Sequence, residues 1–237
     1  MPTVSDIMQQ LEKLGTAQTR KTFARHGAPV DRMFGVKVGD LKPILKKLRG
    51  QQELAMQLYA TGNSDAMYLA GLVADGSQMT KKQLNDWAKQ ASWYMIGEYT
   101  VPGVASESRV ACELARKWID AKQPSIASCG WATWSAIVAT KPDEELDLRE
   151  IQSLLDRVVK QIESAPNRVR YTMNAFVISV GTYVAPLLDR AKEAARKIGK
   201  VQVDVGNTAC RVPLASDYIA KVESMNRVGR KRKTMKC

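Results

Sequence analysis

Apolar residues along this chain recur at the spacing of one helix face. Ile151, Leu154, Leu155, Val158, Val159 and Ile162 follow the steps i, i+3, i+4, i+7, i+8 and i+11, which put all six on a single stripe. Ala111, Leu114, Ala115 and Trp118 repeat the pattern, as do Leu41, Ile44, Leu45 and Leu48, and Leu187, Leu188, Ala191, Ala195 and Ile198. Between the stripes stand residues that stop one helix and free the next, namely Gly15, Gly27, Gly50, Gly62, Gly76, Pro124, Pro142, Pro166 and Gly199. Short amphipathic helices cannot bury their faces alone and must stack on neighbours. The breaks at Gly76, Pro124 and Pro166 lie roughly forty residues apart, the period of HEAT or armadillo units. The predicted fold is all-α, a HEAT-like helical-repeat solenoid with a curved concave face. A compact helical bundle buries the same stripes and is the alternative. Only Val201, Val203 and Val205 alternate with polar residues, a period of two that predicts an ordered loop or a small hairpin.

The chain has 237 residues, enough for one sizeable core, and carries 36 Lys plus Arg against 24 Asp plus Glu, a net charge of +12. Half of that surplus lies in Arg227, Arg230, Lys231, Arg232, Lys233 and Lys236. We therefore expect one helical-repeat domain over residues 1–226 and a basic, unstructured tail over 227–237. A cationic surface gains affinity for polyanions by releasing their condensed counterions. It also serves solubility alone, which is the competing explanation. Cys112, Cys129, Cys210 and Cys237 form no C-x-x-C pair, which argues against a zinc ribbon, a redox motif or a disulfide framework and favours a reducing cytoplasm. The first residues lack a signal peptide pattern, and no apolar run is long enough to span a membrane.

No phosphate-binding G-x-x-x-x-G-K-[ST], no zinc-binding H-E-x-x-H and no G-x-S-x-G elbow occurs, and His26 is the only histidine. Chemistry without metal or cofactor is expected. The candidate site is Ser92-Trp93-Tyr94-Met95-Ile96-Gly97-Glu98-Tyr99, where Tyr94 and Glu98 sit four apart, so that a ring and a carboxylate project from one helix face toward an electron-poor group. Trp131 and Trp134 offer further aromatic faces, although rings at this spacing more often seal a core. Arg168 and Arg170 precede an apolar helix, where side chains and backbone N–H groups suit a phosphate. Asn174 lies one turn beyond Arg170, within reach of a sugar or phosphate.

Taken together, Phe34-Gly35-Val36 leading to Leu41-Lys42, Asp65-Ala66 with Leu69-Ala70-Gly71-Leu72, the Ser92-Trp93-Tyr94 cluster and the Trp131 and Arg170 helices resemble the AlkD-like DNA alkylation repair family. The resemblance implies HEAT-like repeats curved around duplex DNA and a glycosylase that removes cationic alkylated purines. It places the family's aromatic residue on Tyr94 and its catalytic aspartate on Glu98. Trp134 falls where active members place an arginine, and Phe176 where they place another tryptophan. A purine alkylated at N3 or N7 is already a cation, so its glycosidic bond breaks through an oxocarbenium-like state that a carboxylate stabilises. The expected function is binding of double-stranded, alkylated DNA by a monomer and hydrolysis of that bond. Glu98 and Tyr94 are then catalytic, Trp93 contacts the lesion, Trp131 and Trp134 shape the cleft, and Arg168, Arg170 and Asn174 hold the backbone. Two rivals keep the fold without the chemistry: a non-catalytic binder of damaged or branched DNA, and a scaffold for an acidic protein.

Overall fold

The computed structural model describes residues 2–236, and the helical expectation holds throughout: among them no strand occurs. The chain forms two compact units. The first comprises Met1–Arg109 with Val205–Ala209 and Lys236–Cys237, and the second Val110–Asp204 with Cys210–Met235.

The first unit contains α1 (Val4–Leu14), α2 (Ala17–Arg25), α3 (Lys42–Leu48), α4 (Gln52–Ala60), α5 (Ser64–Val73), α6 (Lys81–Gln90) and α7 (Val101–Ala105). Local chemistry sets their starts. Thr3 and Asp6 form a capping box at α1, and Thr80 and Gln83 form another at α6, each satisfying two N–H groups that have no partner within the helix. Asn63 caps α5 by accepting from Asp65 N and Ala66 N. The Asp65 side chain is therefore not needed as the cap. A π turn, Ile96–Thr100, runs directly into α7, with Val101 N bonded to the Ile96 carbonyl.

The second unit contains α8 (Ala111–Ile119), α9 (Pro124–Thr140), α10 (Leu148–Gln161), α11 (Asn167–Tyr183), α12 (Leu188–Ile198) and α13 (Ala215–Ser224). The stripe read on α10 is buried at Ile151, Leu154, Leu155 and Val158, and Asp147 caps its start. Helices α9 and α11 pack closely and are apolar almost all round, because α9 also meets α8 while α11 also meets α12 and α13. Close approach of α8 and α9 needs Gly130, where a Cβ would lie 2.5 Å from Ile119 N. The valine-rich stretch is a loop rather than a hairpin. Val201 and Val203 pack on the core, and Asn167 pins the loop by donating from Nδ2 to the Asp204 carbonyl and accepting from Asp204 N, both at 2.7 Å.

Residues 227–236, expected to form a loose tail, are tied down. Gly229 N donates to the Thr182 carbonyl and Arg232 N to the Ala139 carbonyl, while Lys231 Nζ pairs with Asp143 at 2.7 Å. In the first unit, Lys236 Nζ meets Glu107 and the Ala74 carbonyl.

Candidate nucleic-acid interface

Three aromatic side chains of the first unit converge where α2 ends and the π turn begins. Trp93 is buried against Ala28 and Met33, with Phe23 at 5.2 Å and Tyr94 at 5.7 Å between ring centroids. His26 fixes both of the consecutive rings. Its carbonyl accepts from Trp93 Nε1 at 2.9 Å, and its Nδ1 lies 3.2 Å from the Tyr94 hydroxyl, in a bond whose direction follows the histidine tautomer. The sequence reading gave His26 no role. Nothing in its own surroundings marks it, since its partners lie 67 and 68 residues away.

A cavity of about 180 Å³ opens beside this cluster, walled mainly by Phe23, His26, Tyr68, Trp93, Tyr94 and Ser64. Its surface is mostly apolar and aromatic. Ser64 Oγ is buried in that wall without a hydrogen-bond partner. The one carboxylate in the lining, among the described residues, is Asp65. It accepts from Phe34 N at 2.6 Å, Gly35 N at 2.9 Å and Val36 N at 3.0 Å. The two stretches that first suggested a family, Phe34-Gly35-Val36 and Asp65-Ala66, are thus bonded to each other. Gly35 is required there, because its φ is +84° and a Cβ would lie 2.4 Å from Arg20 Cγ.

Glu98 falls elsewhere. It lies in the π turn Ile96–Thr100, which is wound wider than an α turn, so ideal i, i+4 spacing does not describe its relation to Tyr94. Glu98 is 7% exposed and does not line the cavity.

The expected site residues of the second unit require correction. Trp131 and Trp134 are 0% and 2% exposed, members of one core cluster with Phe176. Their rings are already engaged, Trp131 by Phe176 and the Arg157 guanidinium at 5.7 Å, and Trp134 by Arg116 at 6.0 Å. Neither ring is presented to a ligand. Both sit on α9, a helix buried on every side, where i, i+3 aromatic spacing fills the interior. Asn174 is 1% exposed, and its Nδ2 donates to the Pro213 carbonyl, which anchors a loop. Arg168 and Arg170 remain half-buried at the start of α11, with Arg168 stacked 4.4 Å from the Tyr171 ring. Tyr94, Trp93 and Glu98 belong to the first unit and the other five candidates to the second.

The sequence profile of the family described as "DNA alkylation repair enzyme" matches residues 7–197. The chain belongs to the DNA alkylation repair family. Two relatives of this family member in Listeria span nearly its whole length. The protein named "Uncharacterized protein Lin0241" from Listeria innocua serovar 6a is 35% identical over 230 residues, covering 94% of this chain and 99% of its own. "Uncharacterized protein Lmo0209" from Listeria monocytogenes serovar 1/2a is 34% identical with the same coverage. A solved structure described as "a new family of proteins related to the HEAT-like repeat DNA glycosylases with affinity for branched DNA structures" superposes with a TM-score of 0.91 at 36% identity, covering 100% of both chains. This member of the DNA alkylation repair family therefore has the HEAT-like repeat fold that its helix punctuation suggested.

Proposed function

We propose that this protein binds DNA where the strands leave a regular duplex, at branches or unpaired nucleotides, and holds it without breaking the N-glycosidic bond. The placement of the acids carries this reading. A glycosylase needs a carboxylate that reaches the sugar of the lesion. Here Glu98 is buried in the π turn away from the cavity, and both oxygens of Asp65 are committed to three backbone amides. What remains in the cavity wall is aromatic and apolar, suited to an unstacked base, which gains about 1–3 kcal/mol on such a platform. The net charge of +12 supplies attraction to phosphates. The solved relative at 36% identity is itself described as having affinity for branched DNA.

Fluorescence anisotropy with a four-way junction and a linear duplex of the same arm sequences tests the binding, and a release assay on methylated duplex tests the chemistry. Tighter binding of the junction with no free 7-methylguanine or 3-methyladenine is the expected result. Release of either base by the parent protein, lost in Glu98→Gln, restores the excision reading. No binding of any DNA at low salt supports the scaffold reading instead.

A further inference from the structure

The basic run after α13 has a fixed path, and that path begins with the way α13 ends. Asn226 takes φ +53°, Asn226 N bonds to the Glu223 carbonyl and Arg227 N to the Val222 carbonyl, the two crossed bonds of a Schellman turn. The following residues then cap two other helices. Gly229, at φ +78°, donates its N–H to Thr182 O in the last turn of α11. Lys231 Nζ donates to Val138 O at 2.9 Å, and Arg232 N to Ala139 O at 2.8 Å, both in the last turn of α9. Those carbonyls have no partner within their helices and carry the negative end of the helix dipole, so an ammonium and two N–H groups are their natural complement. Asp143 completes the anchor by pairing with Lys231 at 2.7 Å.

Two cations that follow α13, Lys231 and Lys236, are therefore already engaged. Arg227, Arg230, Arg232 and Lys233 are exposed, and none of them enters an ion pair among the described residues. No Asp or Glu occurs from residue 227 to the end of the chain. Four uncompensated positive charges within seven residues, on a segment held by backbone bonds at 226–227, 229 and 232 and by the Lys231 side chain, differ from a loose lysine-rich tail in one respect. Much of the ordering cost of about 1–2 kcal/mol per residue is met during folding rather than at binding.

We infer that residues 227–233 form a preformed phosphate-binding surface that grips the backbone of bound DNA, an assignment that rests on the DNA-binding reading above. The surface offers no aromatic ring or planned base contact, so its contribution is independent of sequence and sensitive to salt.

Three proteins decide the matter when titrated against the same four-way junction and linear duplex across a salt series. They are the parent, the quadruple variant R227Q/R230Q/R232Q/K233Q, and the charge-neutral unhooked variant K231Q/D143N. Each phosphate contact adds about 0.9 to the slope of log K against log salt. The quadruple variant should flatten the parent slope by about 3 to 4 and weaken binding near 0.1 M salt on the order of a thousandfold. The unhooked variant keeps all four exposed cations. It should retain the slope within about one contact and bind about fivefold to tenfold more weakly, because the segment must be ordered on binding. Unchanged slope in the quadruple variant overturns the phosphate contacts, and parent-like affinity in the unhooked variant overturns their preorganisation. A parent that binds neither DNA sinks the DNA-binding reading as well, whereas a parent that binds while the quadruple variant keeps its slope sinks this inference alone. All four substituted residues of the quadruple variant are exposed, so its melting temperature should match that of the parent.

Discussion

Replacing Asp65 by asparagine separates a carboxylate that holds the fold from one that performs chemistry. Oδ2 of Asp65 accepts from Phe34 N and Gly35 N, and Oδ1 from Val36 N, in a setting that water scarcely reaches. An asparagine oxygen in the Oδ2 position keeps two of the three bonds but makes them neutral, each weaker by about 1 kcal/mol. Its amide nitrogen then faces Val36 N, donor against donor, and leaves a buried N–H unsatisfied at about 1–3 kcal/mol. Burying a neutral amide is easier than burying a carboxylate, which returns part of the loss. The net expectation is about 2–4 kcal/mol, a large share of the roughly 5–15 kcal/mol that holds a domain. Urea denaturation followed by far-UV circular dichroism measures that loss. Hydrogen exchange localises it, because the amides of Phe34, Gly35 and Val36 should lose protection more than those of α9 or α11. A variant within about 0.5 kcal/mol of the parent, with these three amides still protected, refutes the assignment of Asp65 as the clasp of this loop.

Tyr94→Ala removes one wall of the aromatic cavity and should weaken junction binding by about 1–3 kcal/mol, whereas Tyr94→Phe keeps the ring and should stay near the parent in the same anisotropy titration. Gly130→Ala places a methyl group 2.5 Å from Ile119 N and 2.8 Å from Trp118 C, both backbone atoms of α8. The strain of about 1–3 kcal/mol or more should exceed the roughly 1 kcal/mol gained in helix propensity, so the melting temperature should fall. The Asp75 carboxyl is held below the usual carboxylate range by the Ser77 hydroxyl and the Gln78 amide, with Ser77 N and Lys236 assisting. A depressed folded-state pKa stabilises above the unfolded value, about pH 4, and the benefit fades as pH falls through the lower folded value. The stability advantage of the parent over Asp75→Asn should therefore be full at neutral pH and vanish in acid, as read from thermal melts at a series of pH values.

The difference between what could and could not be read from sequence follows from the range of the forces involved. Helix periodicity is local, so the α10 stripe and the Gly and Pro stops placed most helices, and the HEAT-like repeat fold followed from them. Periodicity fails for α9 and α11, since a helix buried on every side has no preferred face and its tryptophans look the same whether they pack inward or line a cleft. Trp131 and Trp134 were misplaced for that reason, and only the contacts of α9 with both α8 and α11 settle the question. The site depends on pairings of even longer range. Trp93 and Tyr94 were legible as an aromatic cluster, but His26, which fixes them, is joined across most of the first unit. Asp65 was legible only as part of the Asp65-Ala66 stretch, because the amides it binds at Phe34, Gly35 and Val36 lie 31, 30 and 29 residues away.

Glu98 shows how a spacing rule can be correct and still mislead. Residues four apart share a face in an α-helix, yet the turn that carries Glu98 is wound wider, and Glu98 is buried. Gly97 sits at that point with little in the way of a Cβ, the nearest side-chain atom being 3.6 Å off. Alanine there fits sterically and favours tighter winding by about 1 kcal/mol over glycine, which biases the local helix toward α geometry without touching the acid. If winding alone withholds Glu98 from DNA, Gly97→Ala should raise whatever base release the protein has, measured on methylated duplex, while leaving junction affinity within about twofold of the parent. Base release unchanged from the parent, with Gly97→Ala seen by NMR to convert the π turn to α, shows instead that the wider turn does not control what Glu98 can reach.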